Sequence, residues 1–214
     1  LQDFVGSVFL AFGLISVLVA AALMLRQKDY KRLLAYSSVE NMGIIAIAYG
    51  AGTPYVALLH ALNHSLAKTP LFLLSGNILR FFRTKKMHEI SSLPDALPRT
   101  GILWGAGFLA ILGMPPFGIF VSKLLTIKTL LSSGRYAYAA AFLFMLAVAF
   151  SVTVHAVLGM FRGNPEQPQP QKEPMPFILP PLVLLTLSVA LGLFLPEWVD
   201  RALSMAAAQI GAKP

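Results

Sequence analysis

Six long apolar runs follow one another along the chain, and each is at least as long as a membrane-crossing helix requires. Such a helix needs roughly 20 predominantly apolar residues. The clearest run covers residues 4–25 and carries no charged side chain. The others cover residues 33–52, 54–82, 101–131, 136–161 and 177–199. The pattern predicts an all-α fold, a polytopic transmembrane helix bundle of about six spans.

The third and fourth runs are too long for one straight crossing. The fourth has 31 residues and would reach about 46 Å as a single helix, against a hydrocarbon core of about 30 Å. Proline lacks an amide proton and clashes with the preceding helical turn. We therefore expect Pro70 to kink or interrupt the third span, and Pro115 with Pro116 to break the fourth. Backbone freed in this way must be covered by protein or by an aqueous cavity.

A proline- and glutamine-rich segment divides the chain near its C-terminal end. Residues 164–176 read NPEQPQPQKEPMP, which predicts a non-helical loop. Residues 1–163 then hold the first five spans, and residues 177–214 hold the last span and a tail that is expected to form a short interfacial helix. The chain opens with Leu1 and goes straight into an apolar run, which favours a piece of a longer protein or a processed product.

The composition excludes several classes of protein. The chain is 57% hydrophobic and 12% charged, whereas soluble domains are about 45–50% apolar and about 25% charged. The chain is therefore not expected to be a soluble domain. Intrinsic disorder is excluded as well, because disordered segments have low hydrophobicity and high charge. The absence of cysteine excludes a disulfide scaffold, a Cys-ligated zinc site and a Cys-held iron–sulfur cluster within this chain.

The basic residues are distributed unevenly among the loops. Lys and Arg are concentrated near residues 26–32 and 80–99, whereas the loops near residues 51–53 and 133–135 carry at most one basic side chain. Cytoplasmic loops are enriched in Lys and Arg. The first, third and fifth loops are therefore predicted to lie in the cytoplasm, with both chain ends outside. We interpret the net charge of +8 as a sign of membrane orientation, so no nucleic-acid partner is expected.

Six ionisable side chains interrupt the apolar runs. A charge near mid-bilayer is costly unless it is paired or hydrated, so such groups are functional candidates by default. The six are Glu40, His60, His64, Lys68, Lys123 and His155.

Three of the six side chains share one helix face. His60, His64 and Lys68 follow at i, i+4 and i+8, about 6 Å apart along the axis, and Asn63 lies beside them. Neutral imidazole both donates and accepts a hydrogen bond and titrates near neutral pH. The spacing favours a proton relay over the alternative, in which these groups only form hydrogen bonds between helices.

The other three ionisable groups are less regular. Lys123 follows the Pro–Pro pair by seven residues, and we expect it to pair with an acid or to face a cavity rather than to snorkel. Glu40, with Asn41 next to it, lies about 10 Å inside its helix. It either pairs with a lysine, enters the relay or forms a purely structural ion pair. His155 stands alone among Ala, Val and Phe, which favours a hydrogen-bonded structural histidine.

No metal, phosphate or nucleotide site is predicted. His60 and His64 are separated by the spacing of a metal-binding pair, but the HExxH pattern and a nearby carboxylate are absent. The chain also lacks GxxxxGK[ST] and GxGxxG. We expect no cofactor and no bond chemistry in this chain.

Three segments together resemble a known family. Residues 29–43 (DYKRLLAYSSVENMG) are similar to the DxKRLxAYSSxxxMG signature of antiporter-like membrane subunits. These subunits occur in respiratory complex I, in multi-subunit cation/proton antiporters and in energy-converting hydrogenases such as hydrogenase-4. Residues 60–76 (HALNHSLAKTPLFLLSG) resemble the HxxxHxxxKxxLFLxSG helix of the family, and residues 113–123 (GMPPFGIFVSK) resemble its GxPPxxGFxxK broken helix.

The resemblance implies a role for each matched position. His60, His64 and Lys68 would belong to the hydrophilic axis of the C-terminal half-channel, and Lys123 would be its terminal lysine. The family is roughly twice this length and contains two inverted repeats, so the chain resembles the C-terminal half. The Glu40–Asn41 pair looks more like the hydrogenase-type branch of the family.

The function expected on this basis is proton translocation in a redox-driven complex. The chain would be a subunit of an oxidoreductase assembly in a bacterial or archaeal cytoplasmic membrane or an organellar equivalent. Its partners would be other membrane subunits and lipid. Two alternatives remain open at this point: a Na⁺/H⁺ antiporter subunit, and a structural anchor without transport.

Overall fold

Helices account for every long regular element in the part of the chain that the structure describes. The computed structural model describes residues 2–162 and 170–211. A short 3₁₀ turn lies at Met87–Glu89. The α-helices are α1 (Gln2–Leu25), α2 (Tyr30–Gly50), α3 (Pro54–Phe82), α4 (Leu93–Ala96), α5 (Pro98–Leu112), α6 (Gly118–Ser132), α7 (Tyr136–Phe161), α8 (Met175–Leu193) and α9 (Glu197–Gly211). The predicted all-α architecture is confirmed.

Three of the described helices are long and apolar enough to cross a membrane by length and composition alone: Phe4–Leu25, Tyr136–Phe161 and Met175–Leu193. α2 and α3 have 21 and 29 residues, but they carry polar side chains along their length. The fourth predicted span is divided between α5 and α6. The count of six crossings therefore stays a prediction.

Proline has different effects at its two predicted breaks. The fourth span is interrupted, because α5 ends at Leu112 and α6 begins only at Gly118, with Pro115 and Pro116 between them. Pro70, in contrast, lies inside an α3 helix that continues to Phe82, so an interruption at this point is ruled out. Neighbouring helices can cover the carbonyl that a proline leaves without a partner.

Two boundaries near the C-terminal end differ from the prediction. Residues 164–169, the first part of the expected loop, lie outside the described residues. The loop prediction is wrong for Met175 and Pro176, which begin α8, because the first helical turn tolerates proline. The sixth span was also predicted too long, since α8 ends at Leu193 and a new helix, α9, begins after Pro196. Pro196 accounts for the gap, because the helical conformation is disfavoured at the residue that precedes a proline.

The first two helices pack with their backbones in near contact. A Cβ atom added at Gly13 would lie 2.7 Å from the carbonyl oxygen of Gly43, and one added at Gly43 would lie equally close to the carbonyl of Gly13. Small residues permit this close approach between membrane helices. This close contact fixes α2, which carries several of the polar residues, against α1.

Asp29 explains the acidic position that opens the DYKR segment. Its carboxylate accepts hydrogen bonds from the backbone amides of Lys31 at 2.8 Å and Arg32 at 3.2 Å, so it is the N-cap of α2. Tyr30 follows, fully buried, and donates from its hydroxyl to the carbonyls of Ser75 and Thr84. These contacts fix the start of α2 against the end of α3.

The segment before α8 supplies a cap for α5. The carboxylate of Glu173 accepts hydrogen bonds from the backbone amides of Arg99 and Thr100, each at 2.8 Å. These amides lie in the first turn of α5 and have no partner within the helix. Glu173 thus joins the start of the broken span to the start of the last apolar helix.

Glu173→Ala should destabilise the chain modestly. We expect a loss of about 1 kcal/mol of unfolding free energy, the usual cost of losing a helix cap. The measurement is SDS-induced unfolding in mixed micelles. Lys172→Ala is the matched control, because Lys172 is exposed beside Glu173. Equal midpoints for the two variants would contradict the capping role.

Large apolar side chains are exposed along the outward faces of α1, α7 and α8. The most exposed include Phe12 at 65%, Phe144 at 68% and Leu193 at 73%. Soluble monomers rarely expose apolar patches of such extent. These faces have the chemistry that hydrocarbon contact requires, while Glu40, His60 and Lys68 are buried.

Candidate functional site: a buried polar axis

The predicted polar residues meet where α2, α3 and α6 pack together. Each helix contributes side chains that are almost completely removed from solvent. The relative exposure is 0% for His60, 7% for His64, 6% for Lys68, 7% for Lys123 and 5% for Glu40. Three helices therefore surround a group of buried ionisable side chains inside a largely apolar bundle.

His60 connects all three helices. Its Nε2 lies 3.1 Å from Oδ1 of Asn41 on α2, and its Nδ1 lies 2.8 Å from the hydroxyl of Ser122 on α6. Asn41 is itself fixed, because its Nδ2 donates to the carbonyl of Ser37 at 2.7 Å. The imidazole thus has a polar partner at each ring nitrogen.

Lys68 is held by oxygen atoms of α2. Its Nζ donates to the carbonyl of Leu34 and, at 2.5 Å, to the hydroxyl of Ser37. Among the described residues no carboxylate lies within ion-pair distance of this ammonium group. The ammonium charge is therefore stabilised by the dipoles of a neutral carbonyl and a neutral hydroxyl, without a counter-ion in the described part of the chain and almost without contact with solvent.

Lys123 and Glu40 form a buried ion pair. Their Nζ and Oε1 atoms are 3.7 Å apart, and Lys123 also donates to the carbonyl of Leu112 at 3.2 Å. Leu112 is the last residue of α5, so the broken span provides the lysine from one half and a backbone acceptor from the other. Lys123 was expected to pair with an acid, and pairing with a lysine was one of the alternatives for Glu40. The structure pairs these two residues with each other.

His64 and Asn63 complete the face of α3. His64 Nδ1 is buried and has no hydrogen-bond partner in the protein, although it lies one turn from both His60 and Lys68. Asn63 points instead to the broken span and donates from Nδ2 to the carbonyl of Gly118 at 3.1 Å. The helix break is therefore attached to the same helix that carries the two histidines.

His155 lies apart from this group. It is exposed on α7 and lines a cavity of about 490 Å³ together with Met24, Lys28, His88 and other residues, none of which belongs to the axis. Within residues 2–162 and 170–211, no three His, Cys, Asp or Glu side chains are grouped so that they could hold a metal ion.

The hydroxyl and carbonyl groups that hold the axis were not among the predicted site residues. Ser37 and Ser122 are each buried and contact a predicted residue, and the carbonyls of Leu34 and Leu112 accept from the two lysines. A small polar residue beside a charged one in an apolar helix was the available signal for Ser122. Nothing in the sequence indicates which backbone carbonyls are turned inward.

The arrangement groups proton-exchanging side chains inside the bundle. It contains two ammonium groups, one carboxylate and two imidazoles, all of which can exchange a proton. Rows of such groups inside a membrane are typical of proton and ion pathways. Oxygen partners at hydrogen-bond distance keep the individual side chains in place without neutralising all of them.

The chain is similar in sequence to known membrane subunits. Residues 2–151 match the model of the transmembrane family described as NADH:quinone oxidoreductase/Mrp antiporter. A hydrogenase-4 component F homolog from Methylacidiphilum infernorum is 35% identical over 207 residues, covering 92% of this chain and 42% of the relative. Hydrogenase-4 component B from Escherichia coli is 34% identical over 215 residues, covering 88% and 32% respectively.

A solved structure shares the fold. In the Mrp complex from Dietzia sp., one chain superposes with a TM-score of 0.87 at 19% identity, covering 98% of this chain and 48% of that one. The chain thus spans less than half the length of the curated relatives described above. From the family match and these similarities, the chain belongs to the NADH:quinone oxidoreductase/Mrp antiporter family of integral membrane subunits.

Proposed function

We propose that this chain translocates protons along the buried axis formed by Lys68, His64, His60, Lys123 and Glu40, as one subunit of a redox-driven membrane complex. The curated relatives named as hydrogenase-4 components support a redox-driven assembly over other members of the family. The chain itself performs no bond chemistry in this proposal. Its partners are the other subunits of the complex and the surrounding lipid.

One observation carries the proposal: the ion pair of Lys123 and Glu40 lies beside the imidazole of His60, which extends from α3 and contacts side chains of α2 and α6. Lys123 neighbours Ser122 on α6, Glu40 neighbours Asn41 on α2, and both Ser122 and Asn41 contact His60. A change in the charge of Lys123 or Glu40 therefore acts on His60 through these neighbouring residues. Such short spacing in a medium of low dielectric makes electrostatic coupling strong.

The axis extends over about 12 Å between His60 and Lys68, from the rise of eight helical residues. Distances of this size need water to complete the path between side chains. The buried Nδ1 of His64, which lacks a protein partner, is a suitable contact for such a water molecule. In the proposed cycle, electron transfer in partner subunits shifts charge near one end, and protons then move between neighbouring groups.

The pathway in this chain would be one half of a longer one. Since the chain spans 42% and 32% of its two curated relatives, a second half is expected to come from a covalently linked segment or from another subunit. In this proposal the basic loops face the cytoplasm, and Lys123 is the terminal lysine through which protons leave to the outside. The membrane would be a bacterial or archaeal cytoplasmic membrane or an organellar equivalent.

Lys68→Ala and Lys123→Ala should each abolish most proton movement. The complex is purified through a tag on this chain and reconstituted into liposomes. A potassium diffusion potential set with valinomycin drives protons inward, and a trapped pH dye reports their uptake. We expect each substitution to lower the uptake rate by a factor of about 100 or more, the range over which a positioned proton carrier contributes.

Lys128→Ala is the matched control, because Lys128 lies on the same helix as Lys123 but is exposed. Its uptake rate should equal that of the unmodified complex. Unchanged rates for both axis variants would overturn the proposal. If those variants reduced only the amount of assembled complex, the structural-anchor alternative would replace it.

The antiporter alternative has its own outcome in the same liposomes. The matched family includes Mrp antiporters, so exchange with sodium is the natural competitor. A sodium gradient replaces the potassium potential, and the pH dye is read again. Sodium-driven proton release that requires Lys68 and Lys123, without any redox substrate, would favour a Na⁺/H⁺ antiporter subunit over the redox-driven pump.

A further inference from the structure

The hydrogen-bond network around His60 determines which of its nitrogens carries the proton. Asn41 donates from Nδ2 to the carbonyl of Ser37, so its Oδ1 is the atom that faces Nε2 of His60. An amide oxygen only accepts hydrogen bonds. Nε2 must therefore be the protonated nitrogen of the neutral imidazole, and Nδ1 is the nitrogen at which a further proton is gained and lost.

Ser122 occupies the position next to this exchangeable nitrogen. Its Oγ lies 2.8 Å from Nδ1 of His60, and it also lies 3.0 Å from the carbonyl of Ile119 and 3.5 Å from that of Gly118. A hydroxyl has one proton to donate and can accept as well. It can point its proton at Nδ1 or at a carbonyl of its own helix, but not at both.

We propose that Ser122 is a positioning residue that lets His60 exist in both protonation states at a fixed position. This inference rests on the proposed proton axis. When the imidazole is neutral, the Ser122 hydroxyl donates to Nδ1. When Nδ1 has gained a proton, it donates to the Ser122 oxygen, and the hydroxyl turns to the carbonyl of Ile119. Only a hydrogen atom rotates between the two states.

The proton balance of this step is simple. His60 gains one proton at Nδ1 from a neighbouring titratable group of the axis, and that neighbour loses one. Because the Ser122 hydroxyl occupies the hydrogen-bonding position of Nδ1, the proton reaches Nδ1 through it: Ser122 gives one proton to Nδ1 and takes one from the side of the donor, so it ends with one proton as before. The number of hydrogen bonds made by the fully buried imidazole is the same before and after, so neither state leaves a buried polar atom unpaired, which would be costly.

Ser122→Ala removes the partner of the protonated form without adding volume. His60 should then be confined to its neutral state, since its Nδ1–H would have no acceptor. In the liposome assay driven by a potassium potential, we expect proton uptake to fall by a factor of about 10 or more, because the charged imidazole would lose the acceptor of its buried Nδ1–H.

Ser122→Thr restores a hydroxyl at the same position and should recover most of the uptake rate. If the added methyl group prevents assembly, Ser122→Cys tests the same point with a side chain that can still donate and accept weakly. The matched control is Thr126→Val. Thr126 is a buried hydroxyl one turn further along α6 that donates only to the carbonyl of Ser122, so its loss should leave uptake unchanged.

The outcomes separate this inference from the proposed function. Loss of uptake in Lys123→Ala with full uptake in Ser122→Ala would overturn the role of Ser122 and leave the proton axis standing. Unchanged uptake in both Lys68→Ala and Lys123→Ala would overturn the axis itself. Equal losses in Ser122→Ala and Thr126→Val would mean that any buried hydroxyl of α6 matters for packing, and the positioning role would be rejected.

Discussion

Glu40→Gln should destabilise the chain far more than any exposed substitution. The change keeps the shape of the side chain but leaves the ammonium group of Lys123 buried without its counter-charge. Removing one partner of a buried ion pair typically costs about 3–5 kcal/mol, because the remaining charge is uncompensated. Lys123→Met should be similarly costly, since it leaves the carboxylate of Glu40 in the same position. SDS-induced unfolding in mixed micelles measures both changes.

The double variant Glu40→Gln/Lys123→Met makes the prediction specific. With both charges gone, no unpaired charge is left in the bundle, so the double variant should be more stable than either single variant. The two free-energy changes would then be strongly non-additive, as expected for residues in direct contact. Additive costs would show that the 3.7 Å approach contributes no energetic coupling.

Gly192→Ala should disrupt the packing of α8 against the broken span. A Cβ atom at this position would overlap the carbonyl oxygen of Pro116 and would lie 2.7 Å from the amide nitrogen of Gly118. These are backbone atoms, so no flexible side chain can move aside. Overpacking of this kind commonly costs about 1–3 kcal/mol, and relief by separating α8 from the break would also displace the α6 segment that carries Ser122 and Lys123.

Two other helical glycines provide the controls for this variant. A Cβ atom at Gly76 or Gly159 would meet nothing within 4 Å. Alanine at either position should leave the unfolding midpoint nearly unchanged or raise it slightly, because alanine favours helices over glycine. A Gly192→Ala midpoint equal to that of Gly76→Ala would contradict the tight contact at the break. The proton-uptake assay would then report whether the displaced break also impairs the axis.

Much of the architecture can be predicted from residue patterns because hydrocarbon imposes simple requirements. The spans over residues 54–82 and 136–161 were placed with the boundaries that the structure shows for α3 and α7. The break of the fourth span followed from Pro115 and Pro116, which cannot donate helical hydrogen bonds. Pro70 was less predictable, since α3 continues through it. Whether proline interrupts a helix depends on how its neighbours pack.

The sequence by itself determined that this is a helical membrane protein and which side chains interrupt its apolar helices. Those properties depend on composition and on spacing within one helix, because i and i+4 side chains share a face wherever the helix lies. Only the tertiary structure decided that Glu40 pairs with Lys123, that Ser122 and Asn41 hold the two nitrogens of His60, and that Gly192 packs on the break. These contacts join residues on different helices, and their partners depend on helix packing and rotation, which a pattern within one helix cannot specify.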